Sequence, residues 1–159
     1  MPTTPAHDQT ITHRYLAHYP EHEPRDRDPH YVDFQAFRRR TQKTAQCHYG
    51  LPLNDFTDCH GGLELHHSHI EFAIMNGVDL KHLEHVYPGV SNRDQVGAWV
   101  ESADNLVWLC ERHHRDVGAG VHDLSASDYE GSRFTDAIFG AIVATDAAAL
   151  SVPVTDTPA

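Results

Sequence analysis

Residues 63–72 read LELHHSHIEF, a short alternating stretch that ends with His66, His67 and His69 crowded together. Read as a strand, it sends successive side chains to opposite faces, so a metal centre can use one of His66 and His67 while the other stays free. One imidazole of such a pair is suited to a metal and its neighbour to proton transfer. His69 shares the face of His67 if the strand continues, in a structural or substrate-contact role. Glu64 either orients a group of the site or is an exposed strand carboxylate.

Outward from this stretch, NLVWLC (105–110) reads as a second strand over Leu106 to Leu109, and ERHHR (111–115) as a short helix carrying His113 and His114. The chain has 3 cysteines, Cys47, Cys59 and Cys110, an odd number that internal disulfides cannot consume. Metal ligation is the better reading. Histidine is the compositional outlier, with 15 residues in 159. Those of the N-terminal region (His7, His13, His18, His22, His30) read as surface filler, and His82 and His85 as a solvated helix face. Trp99 and Trp108 read as core rather than base-stacking platforms.

The length fits one domain with tails. Hydrophobic content of 40% and charged content of 22% are ordinary for a soluble protein. No apolar run approaches the ~20 residues of a membrane span. The first residues, MPTTPAHDQT, lack the basic start and apolar core of a secretory signal, so a cytoplasmic location with reduced thiols is expected. A net charge of −11 argues against tight binding of DNA through a broad basic face. The basic residues are unevenly spread, however: 7 of 12 lie at or before Lys43, and FRRRTQK (37–43) is the only dense positive run. Arg38, Arg39, Arg40 and Lys43, with Arg112 and Arg115, are the residues that would meet a polyanion.

Three regions are expected. Residues 1–30, rich in Pro, His, Asp and Glu, read as an extended or poorly ordered arm. Residues 31–143 form the domain, and 144–159 a flexible tail. Within the domain, YVDFQAFRRRTQ suggests a short helix, and turn residues surround Cys59. Residues 70–103 read as an insertion between the two strands: IEFAIMNG and VDLKHLEHVYPG as short helices, with a third over NRDQVGAWVES. Beyond it, Ser125 or Ser127 caps a helix with Phe134, Ile138 and Ile142 on one face.

LELHH, then DNLVWLC and ERHHR, resembles the HNH endonucleases, and GVDL, GAWVES, GVH and SASDYE bring the small HNH proteins of actinobacterial phages closest. The resemblance implies an α+β fold, a small ββα-metal finger with a structural zinc, additional short helices and a long helical insertion between the strands. It implies a metal-dependent endonuclease that hydrolyses DNA phosphodiester bonds, and a phage terminase or other packaging protein as partner. Residue by residue, His66 matches the first ligand of the catalytic metal, His67 the general base and His114 the second ligand. Asn105 matches the family asparagine, which orients the base's loop or joins the metal shell. Where one branch of the family has a third histidine this chain has Gly118; His122 is the nearest replacement, because Gly118 and Gly120 let the chain fold back, and Asn105 is the alternative ligand. Three imidazoles suit zinc or nickel, and a shell with more oxygen suits magnesium or manganese. Many family members hold structural zinc with two Cys-x-x-Cys pairs. Here Cys110-x-x-His113 stands for the second pair, with Cys47 and Cys59 unusually far apart as the first, which gives a Cys3His shell, His48 or His60 being the alternatives for one of its ligands. A catalytically inactive, zinc-stapled binding or virion-associated module is the competing expectation, favoured by the acidic charge and by Gly118.

Overall fold

The computed structural model describes Pro5 and residues 18–134. The elements are α1 (Tyr31–Thr41), β1 (Leu63–His67), α2 (Leu80–Val86), α3 (Arg93–Val100), β2 (Leu106–Cys110), α4 (Glu111–Arg115) and α5 (Ala126–Ser132), with 3₁₀ turns at Arg25–Arg27, Leu51–Leu53 and Phe72–Gly77. The described residues form a small α+β structure around one two-stranded antiparallel sheet. Among the described residues no helix is long and apolar enough to cross a membrane.

β1 and β2 pair from Leu63 opposite Cys110 to His67 opposite Leu106. Residues directly opposite share a face, so Leu65, Trp108 and His67 lie on one side and Glu64, His66, Val107 and Leu109 on the other. Helix α1 packs on the first side, where Thr41 Oγ1 accepts the Trp108 indole N–H at 2.9 Å.

The insertion between the strands is self-supporting. Phe72, Met75, Leu83, Val90, Val96, Trp99 and Val100 form a buried cluster of their own. Capping explains where its helices start: Asp79 accepts from the backbone N–H of Lys81 and His82 at α2, and Asn92 from that of Gln95 at α3. The IEFAIMNG segment is a 3₁₀ turn rather than an α-helix, closed by bonds such as Ile74 N–H to Glu71 O. Trp99 is buried in this cluster, as expected of a core residue, while His82 and His85 are exposed.

A second cluster joins Cys47, Leu109, Cys110 and Tyr129, with Tyr49, Phe56 and Leu124 against it. The arm is tied to the body from residue 20 onward: Pro20 lies against Gly77, Asn76 Nδ2 donates to Glu21 O at 2.9 Å, and the His22 ring meets Phe72 edge-on. Composition concealed this docking, because the contacts are made by backbone and by single side chains rather than by an apolar stripe. Helix α5 ends at Ser132 and Phe134 is exposed; Ile138, Ile142 and the 144–159 tail lie outside the described residues.

Candidate metal centres

Among the described residues, two groups of ligating side chains converge, one on each of two neighbouring residues of α4. The first is Cys47, Cys59, Cys110 and His113. His113 Nδ1 lies 3.6 Å from the Cys47 and Cys59 sulfurs and 3.2 Å from that of Cys110. Bonds of about 2.3 Å to sulfur and 2.05 Å to nitrogen, at a tetrahedral angle, would separate S and N by about 3.6 Å. The group therefore fits a closed tetrahedral zinc shell. The donor set also asks for a cation: burial pushes the Cys59 thiol up, and the neighbouring sulfurs of Cys47 and Cys110 push it further. Burial holds His113 in its neutral, ligating form, with its pKa lowered to about 4. The Cys110 N–H points at the Cys47 sulfur at 3.4 Å, and Tyr49 stacks on the His113 ring at 3.9 Å between centroids. The long spacing between Cys47 and Cys59 is absorbed by the 3₁₀ turn at Leu51–Leu53 and by Asn54, whose positive φ turns the chain back toward Cys59.

The second group is His66, His114 and His122. His114 and His122 bring their Nε2 atoms to 3.1 Å, and the His66 ring lies edge-on to both, with centroids 5.3 and 4.9 Å away. Glu64, on the same strand face as His66, accepts the His114 Nδ1–H at 2.7 Å, which leaves the Nε2 lone pair for a metal. The orienting alternative for Glu64 is the one the structure adopts. His122 arrives because the chain doubles back after α4, with Val121 and His122 N–H bonded to His113 and His114 carbonyls. Two glycines permit this. Gly118 sits at φ +75°, and a Cβ on Gly120 would stand 2.7 Å from the Arg115 backbone nitrogen. Burial, together with the charge of His122, lowers the His66 pKa to about 4, so its imidazole is neutral and available.

No family model, curated protein or solved structure matches this chain.

Asn105 is no ligand in this arrangement. Its side chain is fully buried and fully used: Oδ1 accepts the N–H of His69 and Ile70, and Nδ2 donates to the carbonyls of Ile70 and Val100. It fixes the loop that follows β1 against the end of α3. Of the two residues considered for the third position, it is His122 that the fold brings beside His66 and His114.

His67 points away from the three-histidine group and is 8% exposed. Its Nε2 is 3.0 Å from Glu101 Oε2, and its Nδ1 is 3.5 Å from Glu71 Oε2. Burial pushes the imidazole pKa down, but the hydrogen bonds to Glu101 and Glu71 outweigh it and the net direction is up. Glu71 links the two faces. Its carboxyl is held below the usual range by its hydrogen bond to His67, with further pull from His66 and His122. His69 is exposed, its ring near Tyr87 and Trp99.

The basic residues divide. Arg38, Arg39, Arg40 and Lys43 are exposed at the end of α1 and just after it. Arg112 instead pairs with Asp58 at 3.6 Å, and Arg115 grips both oxygens of Glu64. These two face carboxylates in the folded chain, with the Arg115 side chain still 61% exposed. Glu101 and Arg25 carry no signal in the sequence, since each is a single charged residue far along the chain from His67, whereas Glu71 lies four residues from it on the turn that follows β1.

Proposed function

We propose that the protein is a metal-dependent phosphodiesterase acting on DNA, built on the ββα-metal finger of the HNH enzymes. The observation that carries this reading is the division between adjacent residues of β1: His66 joins a three-imidazole group, while His67 is backed by a buried carboxylate. A structural finger alone has no use for the second arrangement. A divalent ion at His66, His114 and His122 would supply Lewis acidity to the scissile phosphate and its leaving oxygen. The all-nitrogen donor set favours zinc, nickel or a similar late transition ion over magnesium and manganese.

The chain's own residues do the rest. Glu64 holds His114 in its ligating tautomer and Asn105 holds the loop after β1 in place. His67, with Nε2–H directed at Glu101, accepts the proton of the attacking water at Nδ1. The Cys3His group, holding structural zinc, anchors α4, on which His114 stands. Arg38, Arg39, Arg40 and Lys43 track the phosphates. With a net charge of −11, binding is weak and falls steeply with added salt. A packaging protein as partner is supported by the resemblance to the phage proteins.

The test is incubation of the purified protein with plasmid DNA at low salt, with zinc, nickel, magnesium or manganese, beside His67→Ala. Cleavage that disappears in the variant supports the enzyme. No cleavage with any metal, or equal cleavage by His67→Ala, overturns it in favour of a zinc-stapled binding module.

A further inference from the structure

Behind His67 lies a chain of charged groups assembled from separate parts of the sequence. Glu101, at the C-terminal end of α3, has a side chain only 1% exposed. Both of its oxygens accept from one terminal nitrogen of Arg25, each at 3.2 Å, and Oε2 also faces His67 Nε2 at 3.0 Å. Arg25 belongs to the 3₁₀ turn before α1, and its guanidinium lies over the Phe34 ring at 4.0 Å and near that of Phe72 at 5.7 Å. The arm, α1, the insertion and β1 all meet at this one cation.

A buried ion pair is a poor device for stability alone, since apolar groups of the same volume do as well or better. Its value here is chemical. Arg25 gives the buried Glu101 carboxylate a counter-charge at 3.2 Å, and a carboxylate so paired accepts hydrogen bonds. Both ring nitrogens of His67 face a carboxylate, and the nearer and buried one, Glu101 at 3.0 Å from Nε2, outweighs the half-exposed Glu71 at 3.5 Å from Nδ1 and the Arg25 nitrogen at 3.5 Å from Nε2. The proton of the neutral ring therefore sits on Nε2, and Nδ1 carries the lone pair. We propose that Arg25 and Glu101 are positioning residues that hold His67 in the Nε2–H tautomer, so that the segment preceding α1 is an integral part of the active site. This inference rests on the hydrolase reading for its catalytic meaning, but the hold on His67 is observable without any substrate.

The experiment uses the full, metal-loaded chain. Nitrogen-15 NMR of the histidine side chains, above neutral pH, is expected to show a single Nε2–H form for His67. In Glu101→Gln the neutral amide can face His67 with either end, and Arg25 loses its counter-charge. The two tautomers should then mix, with zinc content and far-ultraviolet circular dichroism unchanged. On plasmid DNA the variant should lose about 10²-fold or more in kcat with KM within about twofold, because the wrong tautomer cannot take the proton. Arg25→Lys keeps the charge without the planar fork and should fall between. If Glu101→Gln does not fold, Arg25→Lys carries the same readouts. A native His67 in the Nδ1–H or a mixed form, or variants that leave tautomer and turnover unchanged, overturns the proposal. If no DNA is cut but the tautomer still depends on Glu101, the hydrolase reading fails and the hold on His67 stands.

Discussion

Replacing Asn105 by alanine tests whether this residue is a brace or a ligand. Four hydrogen bonds of 2.8–2.9 Å are lost at once, from His69, Ile70 (two) and Val100. Val100 is fully buried and Ile70 half-buried, whereas His69 is exposed enough for water to replace the missing acceptor. Three groups therefore lose their partner where water is scarce. At the low end of about 1–3 kcal/mol for each, the cost is about 3–5 kcal/mol. Against the ~5–15 kcal/mol that holds a typical domain, that is a large fraction. Asn105→Asp should not rescue it, since the second carboxylate oxygen would face the Ile70 and Val100 carbonyls with no proton to offer. Urea unfolding of the zinc-loaded variants measures the loss. Metal titration of the folded Asn105→Ala fraction should give nearly the wild-type affinity at the three-histidine group. A stability change below about 1 kcal/mol combined with a marked drop in that affinity would refute the reasoning and return Asn105 to the metal shell.

Further expectations concern the metals and protons. The Cys3His and three-histidine groups should bind independently enough to be told apart by metal analysis: His66→Ala should keep the zinc that Cys110→Ala loses, and a purified protein without zinc would remove the Cys3His assignment. Glu64→Ala, which frees the His114 ring and leaves Arg115 unpaired, should weaken metal binding at the three-histidine group by about 10–100-fold with little effect on the Cys3His zinc. In metal-free protein His66 and His113 have pKa values lowered from 6.5 to about 4, so the unfolded chain binds more protons between those values, and their contribution, present above pH 6.5, is lost as pH falls toward 4. His67 is shifted the other way, so its contribution is present below 6.5 and lost as pH rises through its folded-state pKa. His122 is lowered as well, so three imidazoles stand against one; the melting temperature of the metal-free protein should drop between pH 7 and pH 5, and a rise would contradict the burial of His66 and His113.

Much of the candidate site was legible because its ligands sit on the most regular part of the chain. The alternation of LELHH separated His66 from His67, the spacing of Cys110 and His113 marked one ligand pair, and the glycines at 118 and 120 announced the return of His122. These are local rules, set by strand period and backbone sterics, and they need no knowledge of distant neighbours.

What the amino-acid sequence indicated by itself is therefore the two-strand frame, the helical insertion, the Cys3His group, and His66 with His114 in the second group. Only the tertiary structure decided that Asn105 braces backbone instead of joining the metal shell, that Arg112 and Arg115 are held by carboxylates, and that Arg25 and Glu101 stand behind His67. Each of these depends on which single polar group meets another across a long stretch of chain. Burial then forces every donor and acceptor to find a partner, and that demand is invisible until the chain is folded.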